Sequence, residues 1–151
     1  MEGATQIRQA RSQDLEQLLH LEELCFNEES FSRQQLRYLS TRAKADFLLT
    51  EEAGEITAFI VLLKRKNSSG LRIYSLAVSP RHRGKGLARL LLAEAGKRAQ
   101  TYGISYLTLE VSAFNEPAVC LYKQQGFEVF GERPAYYKNG SKALLMRKKV
   151  G

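Results

Sequence analysis

The sequence is poor in the residues that build covalent staples and metal cages: it has two cysteines, Cys25 and Cys120, and two histidines among 151 residues. The cysteines lie far apart in amphipathic segments, with no CxxC spacing and no adjacent histidine, which argues against a disulfide framework and a cysteine-based metal site. Reduced, packed thiols and no bound metal are the expectation. No apolar run approaches the roughly 20 residues of a membrane span, and Met1 to Gln13 lacks the apolar core a signal peptide needs. A cytoplasmic protein with no membrane partner is therefore expected. Repeats, linkers and low-complexity tracts are absent too. With 44% apolar and 26% charged residues, the chain fits one domain, residues 1–151, large enough for a real core. Acidic residues are the scarcer charge, 16 against 23 Lys and Arg, for a formal net charge of +7 and a pI of about 9.5. That balance favours an anionic partner, whether nucleic acid, acidic membrane or phosphorylated small molecule, without choosing among them.

What is present reads as interleaved strands and helices. Gln6 to Gln9 is a short strand, and Ser12 offers an N-cap, with Asp14 in the first turn of a helix. Leu15, Leu18, Leu19, Leu21 and Leu24 follow the helical period up to Phe26. Past the acidic link Asn27-Glu28-Glu29, Ser32 and Gln35 form a capping box for a second helix through Leu39. Phe47 to Glu52 and Glu55 to Leu63, joined around Gly54, read as a hairpin, and a turn at Asn67 to Gly70 precedes the strand Leu71 to Val78. Leu87, Leu90, Leu91, Ala95, Ala99 and Tyr102 mark one face of a long helix that Gly103 stops. Tyr106 to Val111 is the next strand. Asn115 caps a helix with Pro117 in its first turn and Gly126 beyond its end. Phe127 to Arg133 and Ala143 to Lys148 are the last strands, flanking a loop with Asn139-Gly140. The order is βααβββαβαββ, an α/β (α+β) fold with a mixed sheet and helices on both faces. Its segment Leu71 to Val111 is expected to be a right-handed parallel crossover.

The most informative stretch is Val78-Ser-Pro-Arg-His-Arg-Gly-Lys-Gly-Leu-Ala-Arg-Leu-Leu-Leu92, an apolar strand running into a cationic glycine turn that opens a helix. Gly84 and Gly86 remove the Cβ atoms that would keep backbone N–H groups from converging on phosphate oxygens, and they permit positive φ. The helix behind adds its partial positive N-terminal charge. Arg81, Arg83, Lys85 and Arg89 surround the turn, which suits a polyanion better than a single carboxylate.

In this turn the sequence resembles the GNAT superfamily of acetyl-CoA-dependent N-acetyltransferases, whose pyrophosphate loop reads Q/R-x-x-G-x-G/A between a strand and a helix. Arg81 to Gly86 matches in one frame; Arg83-Gly-Lys-Gly-Leu-Ala88 matches in the frame that sits as the family's does relative to Val78 and Pro80, and is preferred. The resemblance implies a largely antiparallel, twisted sheet of about seven strands. It implies acetyl-CoA as co-substrate, held by Arg83, Gly84, Lys85, Gly86, Leu87, Ala88 and Arg89. It also implies pantetheine along the backbone of Leu76, Ala77 and Val78, where this strand splays from the next.

Further on, Leu107-Thr-Leu-Glu-Val111, Asn115, Leu121-Tyr122 and Gln125-Gly-Phe127 resemble the RimI-like branch, protein N-terminal alanine acetyltransferases acting on a ribosomal protein. By that likeness Glu110 is the general base, Asn115 a cofactor contact, and Tyr122 a cofactor contact and proton donor to the departing thiolate. Phe31, Glu110, Tyr136 and Tyr137 would flank the amine of the acceptor, a protein N-terminus. The chain departs from many relatives at Arg72, where they carry an acidic residue. The chemistry is consistent with these roles. An N-terminal amine with a pKa near 8 loses its proton at little cost, whereas a lysine costs about 3 kcal/mol more. A tyrosine with a pKa of about 10 is a poor donor to a thiolate near 8.5, so Tyr122 is expected mainly to hydrogen-bond the sulfur.

Each of these residues also has a purely structural explanation. Glu110 is the outward polar residue of an alternating strand, Tyr122 a core aromatic, Asn115 a helix cap, Cys120 a packed thiol and His82 a surface loop residue. Beside the N-terminal amine stand other acceptors: a polyamine, a lysine side chain or a small amine. From another class come a silent acyl-CoA sensor and a basic nucleic-acid-binding module, the latter disfavoured because the cations cluster at one turn and no RNA-recognition aromatic motif occurs. A monomer or weak homodimer is expected.

Overall fold

The computed structural model describes residues 5–26, 33–41, 45–64, 70–137 and 139–150. Strand β1 (Gln6–Gln9) leads into α1 (Leu15–Phe26) and α2 (Arg33–Thr41). Then come β2 (Ala45–Glu52), β3 (Glu55–Lys64), β4 (Gly70–Val78), α3 (Leu87–Thr101), β5 (Tyr106–Ser112), α4 (Glu116–Gln124), β6 (Glu128–Arg133) and β7 (Ala143–Lys149). This is the order expected from the sequence. The seven strands form one sheet in the order β1-β2-β3-β4-β5-β7-β6. Every neighbouring pair is antiparallel except β4 and β5, which α3 connects in parallel.

Alternation along the strands sends side chains to two cores. Ile60, Leu62, Ile73, Leu107, Leu109 and Met146 join the buried residues of α3 and α4 on one face, while Phe47, Leu49, Phe59, Val61 and Ala77 join those of α1 and α2 on the other. The Phe47 and Phe59 rings anchor the second core, with centroids 5.3 Å apart. That core contains no residue of β5, β6 or β7, so the face of those strands that carries Glu110 lies outside it. The stripe of α3 is Leu87, Leu91, Leu92, Ala95 and Ala99. Leu90, expected on it, is 40% exposed, because at 100° per residue it falls on the far side of the axis from the stripe's centre.

The start of α1 also differs from expectation. Ser12 does not cap the helix; Ser12–Asp14 form a 3-10 turn, and Asp14 accepts a 2.8 Å hydrogen bond from the Arg11 amide. Asp14 is buried, with both oxygens held by Arg8 at 2.8 and 2.9 Å. The hydrogen bond from Arg8 holds the Asp14 carboxyl below its ordinary value, against the opposing effect of burial. Its contribution to stability is therefore complete above the unfolded value of about 4 and is lost as pH falls through the lower folded value. Asp14→Asn is expected to cost about 3 kcal/mol at neutral pH, since it breaks a buried pair and leaves Arg8 short of a partner. Denaturant titrations between about pH 6 and 2 check this, and the variant should lose part of the wild type's acid sensitivity.

The sheet opens in its middle. β4 pairs with β5 only from Gly70↔Tyr106 to Ile73↔Leu109. The next residue, Tyr74, is an extra one opposite β3, between the pairs Leu62↔Ile73 and Val61↔Ser75. Such a bulge bends its strand. Beyond it β4 continues along β3 only and β5 along β7 only, so the two strands separate.

Candidate active site

A cleft of about 590 Å³ lies where β4 and β5 separate. Its walls are Ile73 to Leu76, Leu109 to Ser112, residues at and before α4, the end of α1, and Tyr137 and Asn139 between β6 and β7. Leu76, Glu110, Asn115, Tyr122 and Tyr137, all singled out in the sequence, meet in this one cavity.

Each is fixed by local chemistry. Glu110 is the first residue of β5 past the last pair with β4, so its backbone stands at the fork. Its side chain, 13% exposed, lies 3.5 Å from Arg72 Nη2 and 3.3 Å from Arg133 Nε. Asn115 caps α4 by accepting from the Ala118 amide at 3.3 Å, with Pro117 in the first turn where its missing N–H costs nothing. Tyr122 is buried edge-on against Phe127, centroids 5.5 Å apart. Burial pushes its phenol up to about 12, and the neighbouring Tyr137 adds to this. Tyr122 is thus a core aromatic that also lines the cleft. The loop bearing Tyr137 is tied to β5: Ser141 Oγ lies 2.7 Å from Ser112 Oγ, and Asn139 accepts from both the amide and the hydroxyl of Ser141.

The glycine turn follows β4. Pro80–His82 make a short 3-10 turn, then Gly84 and Gly86 take φ of +82° and +80°. An added Cβ at either would meet nothing within 4 Å, so the space over the turn is open. Gly86 is the cap residue of α3, and the first helical bond runs from Leu90 N to Gly86 O, so the amides of Leu87, Ala88 and Arg89 have no intrahelical acceptor. Arg81, Lys85 and Arg89 are exposed around them. Such an end binds anions through backbone donors and the helix dipole. Arg83 instead turns back: its Nε donates to Val78 O at 3.3 Å and its Nη2 lies 3.9 Å from Cys25 Sγ, linking the turn to the wall of the cleft.

The side chain of Ala77 faces the core under α1 and α2 and that of Val78 is half-buried, while Tyr136, half-exposed, meets Tyr137 edge to face and does not line the cleft. His82 is buried, not a surface residue, because the β2–β3 hairpin brings Glu55 to 3.9 Å from its Nε2. Cys120 is exposed rather than packed. Phe31 and the Glu28-Glu29 link lie outside the described residues. The sequence reading missed Glu22, a carboxylate 1% exposed on α1 that lines the cleft beside Cys25. Its signal was an acid one helical turn past Leu18 on an otherwise apolar stripe.

A family model described as the acetyltransferase (GNAT) family matches residues 13–127. The chain belongs to that family. It is 33% identical over 104 residues to streptothricin acetyltransferase of Streptomyces lavendulae, covering 66% of this chain and 55% of that protein. The chain thus spans about half the length of that relative. It is 26% identical over 147 residues to a putative ribosomal protein bS18 alanine N-acetyltransferase of Bacillus subtilis (strain 168), covering 97% and 96% of the two chains. Among solved structures it resembles Ard1 from Thermoplasma volcanium, with a TM-score of 0.88 and 26% identity over 99% of each chain.

Proposed function

We propose that this GNAT domain is an acetyl-CoA-dependent N-acetyltransferase that passes the acetyl group directly to a primary amine, with the N-terminal α-amine of a protein as leading acceptor. The observation that carries the reading is the fork between β4 and β5. It brings Glu110 and Tyr122 into one cleft, joined through Arg83 and Cys25 to a turn whose open space suits a diphosphate. The residues fit each portion of the donor. The open space over Gly84 and Gly86 and the helix-end amides of Leu87, Ala88 and Arg89, with the side chains of Lys85 and Arg89, suit the diphosphate. The edge of β4 beyond Ile73, unpaired with β5, suits the amides of an extended pantetheine chain, in the manner of an added strand. Asn115 and Leu76 line the cleft.

Acetyl-CoA supplies an acetyl thioester. Glu110, acting through water, takes one proton from the ammonium of the acceptor, the neutral amine attacks the thioester carbonyl, and the adduct's second N–H proton passes to solvent water as the C–S bond breaks and the coenzyme leaves as its thiolate. Tyr122 donates a hydrogen bond to the departing sulfur. With its phenol at about 12 against a thiol near 8.5, full proton transfer would be uphill by about 5 kcal/mol, so Tyr122 keeps its proton and stabilises the thiolate. An acetyl-cysteine route is disfavoured. Burial pushes the Cys25 thiol up, leaving little thiolate at neutral pH, and Cys120 does not line the cleft.

The likeness to the bS18 alanine enzyme over nearly the whole chain supports a protein N-terminus as acceptor, and the likeness to streptothricin acetyltransferase keeps a small amine as the second reading. Thiol release from acetyl-CoA, measured across N-terminal peptides, lysine peptides, polyamines and small amines, decides between them. Fastest turnover on an N-terminal α-amine is expected. Turnover confined to N-acetylated lysine peptides, polyamines or small amines would overturn the first reading.

A further inference from the structure

On the transferase reading above, we propose that the acceptor carries a carboxylate within one or two residues of its amine, and that Arg72, assisted by Arg133, reads that carboxylate while Glu110 faces the amine. Arg72 pairs directly with Thr108, two residues before Glu110 on the same face of the sheet, and β4 and β5 diverge after the next pair. Its guanidinium therefore stands at the closed end of the fork. It lies 5.2 Å from the ring of Tyr74, a wall of the cleft, and is mostly buried, with Nε lacking a hydrogen-bond partner among the described residues. Arg133 reaches Glu110 from two strands away, through the register Arg133↔Ala143 and Ala143↔Ser112. It is 54% exposed beside Tyr136.

These two arginines leave one positive charge in excess over Glu110. Their contacts, 3.5 and 3.3 Å, are longer than the roughly 2.7–2.9 Å of a strong charge-assisted bond. Each guanidinium has five N–H donors, far more than one carboxylate accepts at those lengths, so both can take a second anion. Arg147, on the same face opposite Thr108, adds a third cation, 3.6 Å from the exposed Glu128 and over the rings of Tyr106 and Phe130. A polyamine, or a peptide with lysine beside its amine, would add cations to a cationic cluster. An acceptor with its own carboxylate places the amine at Glu110 and the acid at Arg72, and the charges match. An acidic N-terminal peptide segment is the source we favour, and a free amino acid offers the same chemistry.

The test is kcat/KM for peptides that differ only in glutamate, glutamine or lysine at position two, together with free amino acids and a linear polyamine. One charge-assisted contact corresponds to about 10- to 100-fold. The wild type should therefore favour glutamate over glutamine by about 10-fold or more, with lysine slower still. Arg72→Gln should erase the preference, Arg72→Glu should invert it, and Arg133→Gln should reduce it. Folding of each variant is read from its thermal shift with acetyl-CoA. Turnover restricted to free acidic amino acids would support the carboxylate and change its source. A flat or lysine-favouring wild-type profile would overturn the proposal while leaving the transferase reading intact, as would a preference unchanged in folded Arg72 and Arg133 variants. No turnover on any amine would overturn the transferase reading and this proposal with it.

Discussion

Glu110→Gln is expected to lower kcat for amine acetylation by about 10²- to 10⁴-fold, the range general-base removal produces. The substitution keeps the shape of the side chain at the fork but removes the site that accepts the amine's proton. The residual rate should rise with pH up to about 8, as the fraction of neutral amine grows on its own. Acetyl-CoA binding should be little changed, because the side chain touches neither the glycine turn nor the outer edge of β4. Stability should fall by about 1–3 kcal/mol, because the mostly buried Arg72 loses its carboxylate partner while Arg133 is half exposed. Steady-state kinetics across pH check this, and a full wild-type rate in the folded variant would remove Glu110 from the chemistry. Tyr122→Phe makes an informative contrast. Packing on Phe127 survives while a hydrogen bond to sulfur is lost, so a smaller loss is expected, about 10- to 100-fold. With the phenol at about 12, the wild-type rate should show no fall from tyrosine ionisation below about pH 10.

Gly86→Val is expected to act at the glycine turn, and mainly on binding. A β-branched residue at φ +80° is strained by about 2 kcal/mol, or roughly 4–8 °C of Tm in a chain of this size. An added Cβ meets nothing within 4 Å, so the branch point itself clashes with nothing. The space that makes the substitution tolerable is the space proposed for the diphosphate. Acetyl-CoA at about a hundred times its Kd should stabilise the wild type by about 2.7 kcal/mol. The variant, once its lower baseline is allowed for, should lose most of that shift. Differential scanning fluorimetry with and without acetyl-CoA reads both effects in one experiment. An undiminished ligand shift would place the diphosphate elsewhere.

How far the sequence reached depended on whether a feature was local. The glycine turn was legible because positive φ at Gly84 and Gly86 is a property of single residues, and the element order because periodicity and caps are short-range. Glu110 was identifiable as outward-facing from alternation with Leu109 and Val111. The fork was not legible from the residues themselves. Tyr74 carries no glycine or proline signal of a bulge, and where a parallel pair ends is decided by the register with β3 and β7. The same limit hid the Arg72–Glu110–Arg133 cluster, which three strands assemble, and the burial of His82, which needs the tip of the β2–β3 hairpin. Glu22 was visible as an acid on an apolar stripe, but only the packing of α1 over β4 gives that position a cleft to face.

The central claim is that one donor molecule spans the turn and the fork, its diphosphate on the amides of Gly84 to Ala88 and its sulfur in the cleft. A crystal structure of the protein with coenzyme A tests it most directly. The account predicts the sulfur within hydrogen-bond distance of the Tyr122 hydroxyl and the pantetheine amides paired along β4 beyond Ile73. Coenzyme bound away from the turn, or a sulfur directed out of the cleft and away from Glu110 and Tyr122, would contradict it.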